Sequence, residues 1–180
     1  MKNELKKGLA FFIQNKSIIQ NKKLLKVILN ASKYLPANFK MYHFETIVTF
    51  HLTTQEQNVN HAKIPELFGI ARERFGMDNI PNFQAEVGRK YLLKTRSANY
   101  LYLKDFCFGE KITIKMFVAD IDDISFTLIG LFLSNGTLKT IGEQKIIYAN
   151  MNNMPERMPI AFKSVFETVL IPIDSLENIK

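Results

Sequence analysis

Two hydrophobic periods divide the chain. From residue 3 to about residue 33, apolar side chains recur three and four positions apart, at Leu5, Leu9, Phe12, Ile18, Leu24, Leu25, Ile28 and Ala31. This is the spacing of a helix face. Asn15-Lys16-Ser17 interrupts the run, and Ser17 can cap a second helix because its hydroxyl accepts a free first-turn N–H. Pro36 ends the region, and beyond it the period drops to two. Residues 44–53 read as a strand, residues 54–61 are polar, and residues 62–75 return to helical spacing with Ile64, Leu67, Phe68, Ile70, Ala71 and Phe75. Those positions cover more than one face, so this helix is expected to be buried on most sides. Gly76 is expected to serve as its C-terminal glycine. Strands are expected at 83–93, 98–107, 110–120, 123–134 and 138–149, with turns at 108–110 and 122–123. The strongest hairpin signal is Ser134-Asn135-Gly136-Thr137, since Asn-Gly suits the positive φ angles of a tight turn. A short helix over 159–169 follows the Met- and Asn-rich loop 150–158.

A strand, one helix and then a succession of antiparallel strands make an α+β layer arrangement. The 180 residues suffice for one core of ordinary size. Charge separates the two periods further. Residues 1–40 hold nine lysines against Glu4 alone, a local +8, so the remainder of a chain of net +7 carries −1. A basic helical arm (1–40) and a body (41–180) are therefore expected. The body has no basic excess to track a phosphate backbone, so no nucleic-acid partner is expected. The arm instead suits an acidic partner or peripheral contact with a membrane surface.

No stretch approaches the roughly 20 apolar residues of a transmembrane segment, and the run 9–13 is shorter than expected of a secretory leader. The single cysteine, Cys107 in Phe106-Cys107-Phe108, provides no disulfide framework and reads as a buried small hydrophobe. A cytoplasmic setting is the expectation. His43, His51 and His61 stand apart, so neither a metal nor another cofactor is expected.

The ordered motifs resemble those of hot-dog-fold acyl-CoA and acyl carrier protein thioesterases. Val59-Asn60-His61-Ala62 resembles that family's entry into its central helix, and Ala71-Arg72-Glu73-Arg74-Phe75 its later turns. Residues 102–112 are similar to its strand, Gly-Glu turn and strand, and Pro159 and Phe162 to its closing segment. The nearest resemblance is to the thioesterases of enediyne and related polyketide pathways, over roughly residues 42–170. It implies a long antiparallel sheet wrapped around a central helix, here with an N-terminal helical extension. It also implies sheets paired edge to edge in a homodimer or homotetramer.

The family's usual acidic residues are absent. The position of its loop Asp falls on Thr54 and that of its helix Glu on Gly69. The enediyne branch uses an Asn in place of the Asp, together with a helix Arg; Arg72 matches the Arg, and only Asn58 could take the part of the Asn.

The candidate catalytic residues are therefore Arg72, Thr54, Asn58, Asn60, His61 and Glu73. Thr54 cannot ionise near neutral pH but can hold a water. Asn58 can orient a water, and the amides of 60–63 at the helix entry are candidate oxyanion donors. Arg72 lies four residues after Phe68 and three before Phe75, so its guanidinium is expected to meet a carboxylate, a carbonyl or a bound oxyanion. His61 is either a base or a pocket wall, and Glu66 and Glu73 are either surface carboxylates or the base. The leading expectation is hydrolysis of an acyl thioester of fatty or polyketide type, linked to CoA or to an acyl carrier protein. The alternatives are a non-hydrolytic acyl-thioester-binding protein and another hot-dog enzyme, a dehydratase or acyltransferase.

Overall fold

Helical and extended segments alternate much as the two periods imply, with boundaries set by a few close contacts. A computed structural model describes residues 39–171. The expected helical arm and the last nine residues lie outside the described residues. The element order is β1 (Tyr42–Ile47), a 3₁₀ turn (Phe50–Leu52), α1 (Lys63–Asn79), α2 (Phe83–Glu86), β2 (Leu92–Tyr102), β3 (Lys111–Ile121), β4 (Ser125–Ser134), β5 (Thr137–Ala149) and α3 (Ile160–Glu167). The strands form one antiparallel sheet in the order β1-β3-β4-β5-β2, leaving β1 and β2 as its edges.

The expected α+β arrangement of one long sheet against a central helix is the one observed. The core is made where α1 meets alternate residues of the inner strands. Ile64, Leu67, Phe68, Ala71 and Phe75 pack with Ile112, Ile114, Met116 and Val118 of β3, Phe126, Leu128 and Phe132 of β4, and Ile146 and Tyr148 of β5. Phe68, Phe75, Phe126, Phe132 and Phe166 are each no more than 1% exposed. A phenylalanine buried to that degree contributes roughly 1.5–3 kcal/mol.

The hairpin at 134–137 forms as expected. Asn135 and Gly136 have φ of 47° and 74°, the mirror-image turn that matches strand twist. Several other expectations are corrected. The first strand stops at Ile47, because the 3₁₀ turn at 50–52 carries Leu52 into the core beside Val48. Helix α1 is buried along one stripe only; Ile70, Glu73 and Arg74 face outward. Gly76 does not end it. Gly76 is a helical residue against which the Phe83 ring lies so closely that an added Cβ would stand 2.5 Å from Phe83 Cε2. The helix instead runs to Asn79, two residues before Pro81, which disfavours helical backbone in the residue preceding it.

The segment expected as a strand at 83–93 opens with the helical turn α2, whose Phe83 anchors on Gly76. The strands expected at 83–93 and 98–107 are thus replaced by one eleven-residue strand, β2. Cys107 is exposed rather than buried. Phe106 takes the inward position at the start of the turn, and Cys107 and Phe108 face out.

Candidate active site

Three successive rungs between α1 and β5 build the site. Ile64, Phe68 and Arg72 recur every four residues on α1, a rise of about 6 Å per step. Thr140, Gly142 and Gln144 recur every two residues on one face of β5, about 6.6–6.8 Å per step. The two spacings stay in step, so each helix side chain meets one position of the strand.

The middle rung sets the distance between helix and sheet. Gly130 and Gly142 are register partners on β4 and β5. A Cβ on Gly130 would lie 2.8 Å from Phe68 Cε2, and one on Gly142 would lie 2.8 Å from Tyr100 Cε1 and 3.1 Å from Phe68 Cδ1. Phe68 and Tyr100 therefore rest on bare backbone. Their rings meet edge to face at 6.5 Å, and Phe132 meets Phe68 in the same way at 5.8 Å.

The first rung opens into a cavity of about 320 Å³ at the N-terminal end of α1. Val59, Ile64 and Phe106 supply apolar wall, while His61, Tyr102, Lys104, Asp105 and Thr140 supply polar groups. Its volume is at the low end of the roughly 300–1,000 Å³ typical of small-molecule sites. Tyr102 ties the helix entry to β2, its hydroxyl donating to the His61 carbonyl at 3.1 Å while its ring lies 5.9 Å from the imidazole. Thr140, 1% exposed, has a hydroxyl with no hydrogen-bond partner among the described residues.

The third rung is polar. Arg72 Nη1 donates to Thr95 Oγ1 at 2.9 Å and to Gln144 Oε1 at 3.0 Å. Gln144 is 4% exposed, and its Nε2 donates to the Tyr100 hydroxyl at 2.7 Å. Among the described residues no carboxylate forms an ion pair with Arg72, and its Nε and Nη2 have no acceptor. Burial pulls the guanidinium below its ordinary pKa and Glu73 opposes the shift, but an arginine keeps its charge at neutral pH. Burial also pushes the Tyr100 phenol upward, with the Gln144 hydrogen bond acting in the opposite direction, so this hydroxyl holds its proton.

The expected site residues divide accordingly. His61 is a wall of the cavity, and Arg72 stands at the polar rung. Tyr102, stacked 6.3 Å from Tyr100, spans the interval between them. Thr54 is not drawn in: it is exposed in the loop, where its N–H bonds to the Asn58 carbonyl at 2.8 Å. Asn58 Oδ1 accepts from Cys107 Sγ at 3.5 Å. Asn60 supports the helix entry, with Oδ1 accepting from the Ala62 N–H at 2.9 Å and its carbonyl from the Lys63 N–H at 2.8 Å. Glu73 is exposed, and Glu66 pairs with Lys63 at 2.7 Å.

The oxyanion amides expected over 60–63 are mostly engaged, with the Asn60, Ala62 and Lys63 N–H groups all bonded internally. Of these four amides, only that of His61 has no partner among the described residues. The residues that sequence reasoning missed are Tyr100, Tyr102, Lys104, Asp105, Thr140 and Gln144. The one sequence signal for Gln144 was a polar residue at a core-facing position of β5, in step with Ile146 and Tyr148. Among the described residues no three metal-ligating side chains converge, and no helix is long and apolar enough to cross a membrane.

No family model and no curated protein sequence matches the chain. Solved structures do. The dynemicin thioesterase, described with a bound polyene, superposes with a TM-score of 0.70 at 18% identity, covering 74% of this chain and 99% of its own. A gentisyl-coenzyme A thioesterase gives a TM-score of 0.63 at 20% identity, covering 71% and 99%. A Staphylococcus aureus protein characterised in complex with CoA gives 0.66 at 18%, covering 71% and 82%. At these identities the likeness establishes architecture: the described residues form a hot-dog fold, and two of these three neighbours are named as thioesterases.

Proposed function

We propose that the protein hydrolyses an acyl thioester, with the acyl group in the cavity at the α1 N-terminus and the reacting carbonyl beside Arg72. The observation that carries this reading is the polar rung. A half-buried guanidinium is held from one nitrogen by two neutral acceptors, and among the described residues no carboxylate meets its other N–H groups, so it is prepared for an anionic ligand oxygen. Tyr100 stands two residues, about 6.6 Å, along β2 from the cavity wall at Tyr102, so one extended acyl thioester can occupy both places.

Water adds to the carbonyl carbon and the oxygen takes negative charge facing Arg72. The C–S bond then breaks, and the proton lost by water ends on the sulfur, giving a free acid and a thiol. Such stabilisation of developing charge is commonly the largest single contribution to acyl transfer. The thiol is CoA or a carrier protein, and fatty and polyketide acyl groups are the substrate classes.

The same reading takes β2 as the edge that pairs with a second copy in a homodimer or homotetramer. Lys94–Ala98 are exposed on this long edge, which otherwise presents unpaired backbone groups.

The test is release of free thiol from a panel of medium- and long-chain acyl-CoA and acyl-carrier thioesters, by wild type and by Arg72→Ala. Hydrolysis that falls at least tenfold in the variant is the expected result. Hydrolysis indifferent to Arg72 moves the chemistry to the cavity with His61 and Asp105. Binding without hydrolysis of any substrate replaces the reading with that of an acyl-thioester-binding protein.

A further inference from the structure

Donor chemistry alone fixes the hydrogen-bond directions around Gln144. Arginine only donates, so the Gln144 atom 3.0 Å from Arg72 Nη1 is the amide oxygen. The other end of that amide is then an NH₂ group, which also only donates, and it lies 2.7 Å from the Tyr100 oxygen. The Tyr100 oxygen therefore accepts, and its own O–H proton is directed elsewhere. Among the described residues nothing accepts that proton. The phenol is held in place by the edge contact with Phe68, by stacking on Tyr102 and by the space left at Gly142. Gln144 cannot turn its amide over, because doing so would set an NH₂ against the guanidinium in a nearly closed environment.

We propose that Tyr100 and Gln144 complete an oxyanion fork with Arg72: Tyr100 donates its hydroxyl proton to the substrate oxygen that Arg72 faces, and Gln144 is the positioning residue that directs it there. The inference rests on the thioesterase reading for the identity of that oxygen, the thioester carbonyl as it becomes tetrahedral. Two donors on either side of one amide also explain an otherwise wasteful feature. A polar residue at a core-facing position of β5 is costly unless its bonds are made, and here both ends of the amide are used to aim groups that end in free protons.

Two variants of the full chain test the fork, with kcat and KM measured on one acyl-CoA and melting followed alongside. Tyr100→Phe keeps the ring and removes the proton. Loss of one oxyanion donor typically lowers kcat about 100- to 1,000-fold. With Arg72 retained, a fall of at least about tenfold is expected, with KM little changed. Gln144→Glu is nearly isosteric: one carboxylate oxygen pairs with Arg72 and offsets its charge, and the other takes the Tyr100 proton, so the fork loses one donor and the positive charge of the other. It is expected to melt no lower than wild type while losing at least as much activity as Tyr100→Phe.

A merely structural network predicts the opposite for Gln144→Glu, and retained activity in either variant overturns the fork. If wild type hydrolyses no thioester, the thioesterase reading fails on its own. The fork is then read by titrating decanoate, a plain carboxylate, into wild type and Tyr100→Phe. Weakening by fivefold or more supports it, and equal affinity overturns it.

Discussion

Lys139→Met should loosen the outer wall of the cavity. Lys139 Nζ donates to both oxygens of Glu110, at 2.8 and 2.6 Å, and to the Asp105 carbonyl at 2.8 Å. It also lies 5.1 Å over the Phe106 ring. Asp105 and Phe106 line the cavity, so one ammonium fastens the 103–110 loop to the start of β5. The side chains are 12% and 25% exposed, between a surface pair and a buried one. Surface pairs contribute about 0–1 kcal/mol, and breaking a buried pair costs about 3–5 kcal/mol. A cost of about 2–3 kcal/mol follows from these limits. For a chain of this length it corresponds to a fall in Tm of roughly 4–12 °C.

The pH dependence gives the sharper signature of this pair. Burial pushes the Glu110 carboxyl up, but the hydrogen bonds and charge of Lys139 outweigh it and hold the group below its ordinary value. A group depressed in the folded state stabilises above its unfolded pKa and loses that contribution as pH falls through the folded value. Wild type should therefore lose this increment below about pH 4.5. The difference in Tm between wild type and Lys139→Met should be full at pH 7 and shrink below about pH 4. Thermal melts from pH 7 to 3 measure it. A difference under 2 °C at pH 7, or one independent of pH, would refute the reasoning.

Three further outcomes are expected. Gly142→Ala should cost about 1–3 kcal/mol by overpacking, and it should lower kcat because the new methyl meets the Tyr100 ring; an unchanged melt and rate would show that the rings have room. Thr140→Val replaces an unpartnered buried hydroxyl with a methyl, so it should raise stability by about 1–2 kcal/mol in denaturant melts; a loss would show that the hydroxyl is satisfied by bound water. Deleting residues 1–36 removes most of the +8 excess, so it should raise KM for a carrier-protein-linked substrate at low salt and not at high salt. Steady-state kinetics at two ionic strengths distinguish this from an arm without a docking role.

Local chemistry was legible in the sequence, and non-local chemistry was not. The Asn135-Gly136 turn, the β3–β5 meander and the helical spacing of Ile64, Leu67, Phe68, Ala71 and Phe75 depend on neighbours in the chain, and the structure contains all three. Strand β2 reads as parts of two segments because it is an edge: Lys94, Thr95, Arg96, Ser97 and Ala98 face solvent, so hydrophobic alternation lapses in its middle. The spacing ends α1 too early, at Gly76, because that glycine answers to Phe83, a contact that no local pattern announces. The site shows the same limit. Arg72 stood out as a charge on an apolar stripe, whereas its partners Thr95 and Gln144 lie 23 and 72 residues away, and Tyr100 lies 44 residues from Gln144.

Stability and chemistry meet at the glycine pair. Gly130 and Gly142 let the Phe68 ring sink onto the sheet, and this sets how near α1 can come. Four residues later on the helix and two later on the strand, the same approach brings Arg72 within hydrogen-bond reach of Gln144. A larger residue at either glycine would push the helix outward and stretch that bond. The vacancy at Gly142 also admits the Tyr100 ring, whose hydroxyl then meets the far end of the same amide. The position of every donor in the fork thus follows from two missing side chains and from the near equality of a helical turn and a strand pleat. It follows that repacking the middle rung should alter catalysis before it unfolds the protein. A hydrogen bond of 3.0 Å between an arginine and a fixed amide does not tolerate a shift of an ångström.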